Sequence, residues 1–265
     1  MKNIIFILIS LLLLLTACKK EIDLDLEDQS RNIVIEGNIT DQPGPYFVKI
    51  TKSVAFTQPN QYPVIANAVV EVSDNTGQSE TLQYMGNGVY QTIHFEGVPG
   101  RTYTLKIQAE GKEYTAQSNM PEAVPFEGLE QDSFIIGGKT EYELLPIFTD
   151  PPALGNRYLF SLSINDKTKK TFQVFSDNIN NGMPNQRPLF LPNDDDDEVK
   201  VGDIIHVEMQ CIDEKIYTFY SALIELSEEG ADGGITPANP PSNINNGALG
   251  YFSAHTVRKN SIIIQ

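Results

Sequence analysis

The stretch Thr102-Tyr103-Thr104-Leu105-Lys106-Ile107-Gln108-Ala109 decides the fold class, because apolar and polar residues alternate along its whole length. Successive side chains of a β-strand point to opposite faces of the sheet, so strict alternation predicts a strand with one buried face. The same alternation occurs earlier in the chain, at Ile33, Ile35 and Ile39, at Tyr46, Val48 and Ile50, and at Ala68, Val70 and Val72. These patterns predict that residues 31–121 form a β domain.

Short turn motifs separate the alternating segments. They contain the Gly, Pro, Asn and Asp residues that favour reverse turns. The motifs lie at residues 41–44, 74–77, 86–88, 98–100 and 110–112. About seven short strands at this regular spacing are typical of a sandwich of two antiparallel sheets. We therefore expect residues 31–121 to form a seven-stranded, Ig-like β-sandwich.

A second region follows Pro121 and Pro125 and occupies residues 122–265. Its β pattern resumes at residues 142–148, 158–164, 171–176 and 199–212, and closing strands are expected at 251–254 and 261–264. Residues 213–229 differ, because they lack Gly and Pro and their apolar residues recur at helical spacing. Asp213 can cap the start of this helix and Gly230 can end it. The chain is therefore expected to be mainly β, with a second β-rich domain that contains one α-helix.

Residues 1–17 predict a bacterial lipoprotein signal peptide. Lys2 forms a short basic region, and residues 4–15 are apolar apart from Ser10. A bilayer-spanning helix needs about 20 apolar residues, so this stretch suits a secretory signal better than a membrane span. Leu15-Thr16-Ala17-Cys18 matches the lipobox of bacterial lipoproteins, which implies cleavage before Cys18 and a diacylglyceryl group on its thiol. An ordinary secretory signal with a chance cysteine is the alternative.

An acidic tether is expected at residues 18–30. Lys19 and Lys20 precede several acidic residues, and the segment contains no Gly or Pro. This order resembles the export signal of Bacteroidota surface lipoproteins, which implies the cell surface rather than the periplasmic face of the outer membrane. A plain solvated spacer is the alternative. The formal net charge of −16 disfavours nucleic acid as a partner, because the phosphates would be repelled.

Two resemblances to known families are carried by short motifs. Ile35-Glu36-Gly37-Asn38-Ile39, Gly88-Val89-Tyr90 and Gly100-Arg101-Thr102-Tyr103 resemble the carboxypeptidase-regulatory-like, or prealbumin-like, β-sandwich, whose domains are accessory modules. Nearly the whole chain resembles an uncharacterised Bacteroidota outer-membrane lipoprotein family, often encoded beside TonB-dependent receptors. The motifs that carry this second resemblance are the lipobox, Ile33-Val34-Ile35-Glu36-Gly37, and the segments 202–208, 212–217 and 237–244, the last of which leads into 247–252. That family offers no catalytic residues to transfer.

Motifs for catalysis or metal binding are missing from the sequence. His94 and His206 fall at polar positions of predicted strands, and His255 shares no ligand spacing with them. Cys211 lies at an inward-facing strand position and is expected to be a buried small side chain. The run Asp194-Asp195-Asp196-Asp197-Glu198 lacks the spaced ligands and central glycine of a calcium loop, so we expect a solvated acidic run. No catalytic residue, metal or cofactor is predicted.

The candidate binding residues lie in a long loop of the second region. Residues 177–198 and 230–250 are rich in Asn, Gly and Pro, and recognition usually occurs on loops held by a rigid scaffold. The later loop is the stronger candidate, since its prolines hold the chain extended and its asparagines present amide groups. The residues are Asn239, Pro240, Pro241, Asn243, Asn245 and Asn246. The alternative is that this segment only packs across the helix.

These observations favour a membrane-anchored, non-enzymatic lipoprotein of the outer membrane that binds a partner. The resemblance implies a TonB-dependent receptor or its cargo as that partner. Two alternatives stay open: a purely structural envelope protein, and a hydrolase of glycans or peptides with carboxylates of the second region as acid and base. Glycosidase carboxylates lie about 5–10 Å apart across a cleft, which only a structure reveals.

The lipobox predicts that Cys18→Ala abolishes membrane anchoring. Two or three acyl chains hold a lipoprotein almost irreversibly, because each buried methylene contributes about 0.8 kcal/mol. Metabolic labelling with an alkyne fatty acid should mark the wild-type protein and leave the variant unmarked. Equal labelling of both proteins would refute the assignment of Cys18.

Overall fold

The computed structural model describes residues 32–55, 59, 61–165, 167, 171–178, 181–192, 198–229 and 239–265. The predicted signal peptide, Cys18 and the tether lie outside these residues. The strands are β1 (Ile33–Thr40), β2 (Phe47–Lys52), β3 (Val69–Asp74), β4 (Ser79–Thr81), β5 (Gln83–Gly86), β6 (Val89–Gln91), β7 (Thr102–Ala109), β8 (Lys112–Asn119), β9 (Gly128–Ile136), β10 (Lys139–Ile147), β11 (Arg157–Ile164), β12 (Thr171–Ser176), β13 (Leu189–Phe190), β14 (Ile204–Cys211) and β15 (Leu249–Ile263). The helix is α1 (Glu214–Glu229).

These strands form three sheets. A large sheet has the order β12-β11-β14-β15-β1-β2-β6-β5, and two smaller sheets have the orders β4-β3-β7-β8 and β13-β10-β9. Each smaller sheet packs on one part of the large sheet, so the fold consists of two sandwiches joined through the large sheet. The predicted mainly β class, a sandwich followed by a β-rich region with one helix, is confirmed. Strands β1–β8 give the first region eight strands in place of the expected seven.

Strand β15 belongs to both sandwiches. Its first half pairs in parallel with β1, from Val34 opposite Leu249 to Thr40 opposite His255. Its second half pairs antiparallel with β14, from Cys211 opposite Thr256 to Ile204 opposite Ile263. The chain segment before His255 thus completes the first sandwich, although the sequence places it with the second region. A strand of this length spans about 50 Å at roughly 3.3 Å per residue.

Two separate apolar cores result from this arrangement. Phe252 and Ala254 of β15 join the first core, and the neighbouring strands supply residues that include Ile35, Ile50 and Leu105. The second core lies between the rest of the large sheet and the three-stranded sheet, with residues such as Phe160, Val207, Leu144 and Leu189. Each core therefore receives side chains from the second region of the sequence.

A close approach between β1 and β15 depends on two glycines. A Cβ atom at Gly37 would lie 3.1 Å from the Phe252 ring and 3.3 Å from Val48. Gly250 has a φ of +89°, and a Cβ there would lie 2.1 Å from the carbonyl oxygen of Ile35. Only glycine tolerates both this backbone conformation and this proximity. The two glycines therefore allow the Phe252 ring to lie directly over β1.

Helix α1 is capped by Asp213, as the sequence predicts. The Ile216 N–H donates to Asp213 Oδ1 at 3.0 Å. The other carboxylate oxygen accepts hydrogen bonds from Ser118 Oγ at 2.6 Å and from the Asn119 N–H at 3.0 Å. One carboxylate therefore joins the start of the helix to the end of β8.

The apolar side of α1 packs on the large sheet, on the face opposite the two cores. The Tyr220 ring centroid lies 5.3 Å from that of Phe172 and 5.6 Å from that of Tyr251, and Phe219 also contacts Tyr251. Leu159 is buried in the same cluster. The aromatic side chains of the predicted helix therefore belong to a core cluster.

The end of the chain differs from the sequence-based expectation of two short closing strands. β15 is continuous, because Ser253, His255 and Thr256 in its middle are buried although they are polar. A prediction based on the alternation of apolar residues ends the strand at these polar positions. Here buried hydrogen-bond partners replace apolar contact, with Ser253 Oγ lying 2.9 Å from His255 Nδ1.

The shared strand predicts that Phe252→Ala strongly destabilises the protein. Phe252 is fully buried, and removing such a ring costs about 3–5 kcal/mol through lost burial and the cavity left behind. Urea denaturation should show this loss of unfolding free energy. Ile263→Ala in the same strand is the control, because Ile263 is 56% exposed and should change stability by about 0.5 kcal/mol. Equal effects of the two variants would contradict the role given to β15.

Candidate functional site

Three of the four asparagines expected to bind a partner form hydrogen bonds within the protein. Asn243 Nδ2 donates to the Phe252 carbonyl at 2.7 Å, and its Oδ1 accepts from the Phe252 N–H at 3.0 Å. Asn245 Oδ1 accepts from the Thr115 N–H at 2.7 Å. Asn246 Nδ2 donates to the Glu113 carbonyl at 2.7 Å.

These bonds attach the segment to the edge of β8 and to the first half of β15. Ile244 is buried in the first core and forms an isolated bridge with Ala116. The amides of Asn243, Asn245 and Asn246 therefore occupy an otherwise open sheet edge, which would leave unpaired backbone groups. Asn239 and Pro241 are exposed, and Pro240 is half-buried.

A pair of buried carboxylates holds two loops of the second region together. Tyr158 donates its hydroxyl hydrogen bond to Asp150, and the Gly182 N–H donates to the same carboxylate at 3.3 Å. Asp177 accepts from the Asn156 N–H at 3.0 Å and pairs with Arg157 Nη1 at 2.9 Å. Burial and the Asp150 carboxylate raise the pKa of Tyr158 above its ordinary range.

The geometry around these carboxylates bears on the hydrolase alternative. The cavity next to Asp150 and Asp177 has a volume of about 10 Å³, which is far below the roughly 300–1,000 Å³ of ligand sites. Both carboxylates are buried and occupied by donors of the chain itself. This pair has the geometry of a loop clamp and not that of an acid and base open to a substrate.

The side chain of His255 is buried at the point where β15 passes from β1 to β14. Burial lowers the pKa of His255 from 6.5 to about 4, against the opposing influence of the Glu208, Asp41 and Asp213 carboxylates. Nearby, Asp41 Oδ2 pairs with Arg258 Nη1 at 2.6 Å. A neutral histidine therefore lies at the junction of the two sandwiches.

A groove opens on the face of the large sheet that carries α1. It has a volume of about 460 Å³ and is lined mainly by Ser161 and Ser163 of β11, His206 and Glu208 of β14, and Lys259 and Ser261 of β15. We call it the sheet groove. Ser161, Glu208 and Lys259 face one another across the strands, as do Ser163, His206 and Ser261. The helix covers the adjacent row, where Leu159 pairs with Gln210.

A second groove, of about 660 Å³, lies at the loop end of the first sandwich. The Tyr46 hydroxyl shapes it by donating to the Gln42 carbonyl at 2.7 Å and accepting from the Gly97 N–H at 3.0 Å. His94 lines this groove from an irregular loop, not from a strand as the sequence predicts. His206 lies exposed on β14, as expected.

Three consecutive large apolar side chains are exposed at the end of the β9–β10 hairpin. Phe134, Ile135 and Ile136 are 38%, 76% and 62% exposed. We call these three residues the hairpin tip. Towards the turn, the last hairpin residue that packs against the second core is Tyr142, which lies opposite Ser133, so residues 134–141 extend beyond that core.

Sequence reasoning missed both the hairpin tip and the sheet groove. Phe134-Ile135-Ile136-Gly137-Gly138 contains a two-glycine turn after an apolar run, which is a recognisable hairpin signal. That signal identifies the turn but not the exposure of the residues before it. The sheet groove has no signal of its own, because its residues come from three distant strands.

The described residues also bear on metal, thiol and membrane chemistry. Within them, no group of three or more His, Cys, Asp or Glu side chains is arranged to hold a metal ion. Residues 194–197 of the acidic run lie outside this part of the chain. Cys211 is buried, as expected, and burial raises the pKa of its thiol. Among the same described residues, no helix is long and apolar enough to cross a membrane.

Comparison with known protein families shows the family to which the chain belongs. Residues 19–261 match a family described as a domain of unknown function, DUF4249. The chain belongs to this family. The match extends across both sandwiches and the shared strand except for the last two residues of β15. No curated protein matches the sequence.

One solved structure similar to this DUF4249 protein is a segment of two fibronectin type-III domains from chicken tenascin. The alignment has 10% sequence identity and covers 69% of this chain and 91% of the tenascin segment, with a TM-score of 0.24. At that TM-score the likeness carries no functional argument.

The buried His255 predicts a loss of stability in mild acid. The unfolded chain binds a proton at His255 below about pH 6.5, whereas the folded protein does so only near pH 4. Unfolding free energy should therefore fall as the pH decreases from 6.5 to 4, by about 1.4 kcal/mol per pH unit for this group. The contributions of Asp41, Asp74 and Asp203, whose pKa values are lowered, decline only below that window.

Urea denaturation at several pH values measures this dependence. His255→Gln keeps a polar side chain that does not titrate, so its stability should change less between pH 6.5 and 4. A variant with the same slope as the wild type would show that another group controls acid stability.

Proposed function

We propose that this DUF4249 protein is a lipid-anchored, non-enzymatic accessory protein of the outer membrane that binds a partner protein through the hairpin tip. The single observation that carries this proposal is the exposure of Phe134, Ile135 and Ile136 at the end of a hairpin that extends beyond its core. Exposed apolar clusters of this kind mark interaction surfaces. Full burial of one isoleucine side chain contributes about 1.5–3 kcal/mol.

The position of the hairpin tip supports a protein as its binding partner, rather than the membrane that carries the lipid anchor. The chain enters the first sandwich at Ile33, and β1 begins beside Leu249, at the start of β15. The Gln131 side chain bonds to the backbone of Gln265, beyond the other end of β15. The hairpin tip lies further along β9 in the same direction. It therefore lies at the end of β15 opposite to the one where the chain enters β1 at Ile33.

The charge around the hairpin tip also supports this choice. Four carboxylates, from Glu130, Asp132, Glu141 and Glu143, lie on the hairpin strands, against the single ammonium group of Lys139. Such a surface is repelled by anionic lipid headgroups. The surface that complements it is an apolar depression with basic residues around its rim.

The proposed partner is a TonB-dependent outer-membrane receptor or its cargo, and the proposed location is the cell surface. Both rest on the resemblance to Bacteroidota lipoproteins and on the motif that follows Cys18. The DUF4249 family itself carries no functional description, so the partner must be identified by experiment.

Ile135→Asp tests the proposal in a Bacteroidota host that expresses the full-length protein. Cross-linking in intact cells followed by affinity purification should recover a TonB-dependent receptor or its bound cargo with the wild type. Recovery should fall at least about tenfold in the variant, because about 1.4 kcal/mol or more of apolar burial is lost and a charge is added.

Leu154→Asp is the matched control, since Leu154 is 84% exposed and lies outside the hairpin. It should leave recovery unchanged, and both variants should keep the wild-type unfolding free energy. Undiminished recovery with Ile135→Asp would show that the hairpin tip is not the docking surface.

A further inference from the structure

The sheet groove presents a regular array of polar groups. Ser161, Glu208 and Lys259 form one row across β11, β14 and β15, and Ser163, His206 and Ser261 form the next. Neighbouring strands lie about 4.8 Å apart, and residues two apart along a strand lie about 6.6 Å apart. The array therefore measures roughly 10 by 7 Å, which is comparable to a sugar ring with its substituents.

Ser161 provides an independent sign of an unfilled site. It is 3% exposed and lines the sheet groove, and its hydroxyl has no hydrogen-bond partner within the described chain. A buried hydroxyl without a partner is unfavourable, because it has lost its hydration without replacement. Ser163 and Ser261, which flank His206 in the second row of the array, add further hydroxyl groups to the same groove.

The charge of the sheet groove selects the class of ligand. Glu208 pairs with Lys259 at 3.2 Å, so the row contains one negative and one positive group in contact. Gln210 Nε2 holds the same carboxylate at 2.7 Å. The protein as a whole carries a formal net charge of −16, which repels anions. A neutral ligand with several hydroxyl groups fits this surface, because hydroxyls can both donate to Glu208 and accept from Lys259.

We propose that the sheet groove binds a neutral carbohydrate, with the Ser161 hydroxyl and the Glu208–Lys259 pair as its central contacts. The groove volume of about 460 Å³ falls within the range of small-molecule sites, about 300–1,000 Å³. None of the described residues that line it is Phe, Tyr or Trp, so no stacking on such a ring adds to the hydrogen bonds. Hydrogen bonds replace bonds to water with little net gain, and the expected affinity is millimolar.

This inference does not rest on the proposed docking of a partner protein. The sheet groove lies on the helix-bearing face of the large sheet, whereas the hairpin tip belongs to the three-stranded sheet. The two surfaces therefore have no residue in common, and their variants can be tested separately.

Saturation-transfer difference NMR on the full-length protein tests the proposal. The protein is held in a zwitterionic detergent, which has no sugar headgroup, and the probes are maltose, cellobiose, lactose and N-acetylglucosamine at millimolar concentration. At least one of these should give a saturable signal. Ser161→Ala should weaken that binding at least tenfold while its melting temperature stays the same or rises, because the variant removes an unpartnered buried hydroxyl.

Two further variants complete the test. Lys259→Gln should also weaken binding, whereas Lys200→Gln is the matched control, because both lysine side chains are 72% exposed and each faces a glutamate. Ile135→Asp should bind the saccharide as the wild type does. The proposal is overturned if no probe gives a saturable signal, or if Ser161→Ala and Lys259→Gln bind the saccharide as tightly as the wild type.

Discussion

The structure depends on a single strand that serves two cores at once. The first half of β15 places Phe252 and Ala254 in the first core, and its second half continues the sheet over the second core. The Phe252 ring can lie over β1 only because Gly37 lacks a side chain. The edge of the strand opposite β1 is closed by side chains, with the Ala254 N–H donating to Ser118 Oγ at 2.9 Å and Asn243 bonding both backbone groups of Phe252.

The same few polar residues connect the remaining elements to this strand. Ser118 links β15 to Asp213, which caps α1, so the helix, β8 and β15 meet at one carboxylate. Charge-assisted hydrogen bonds of this kind are strong, and removal of one partner leaves the other unsatisfied. The two sandwiches are therefore coupled through a polar junction with His255 beside it. The sheet groove and the hairpin tip are surfaces that no described element covers.

Local patterns in the sequence predict those parts of the fold in which each residue's environment follows from its neighbours. The alternation at residues 102–109 corresponds to β7, with Tyr103, Leu105, Ile107 and Ala109 buried. The apolar spacing after Asp213 corresponds to α1, and the capping role of Asp213 is also visible in the sequence. The buried position of Cys211 follows from the same parity argument. These features depend on strand and helix periodicity alone.

The sequence by itself determined the fold class and the helix with its cap, and it predicts lipid attachment at Cys18, because these features depend on residues adjacent in the chain. The tertiary structure decided which distant elements of the chain pack against one another. It placed the amides of Asn243, Asn245 and Asn246 on the protein's own backbone, joined the polar middle of β15 into a single strand, and brought Ser161, Glu208 and Lys259 into one row. It also left Ile135 exposed, although Gln131, on the same face of β9, lies opposite the buried Leu144. The physical reason is that the burial of a side chain depends on which distant element packs above it, and periodicity along the chain carries no information about that element.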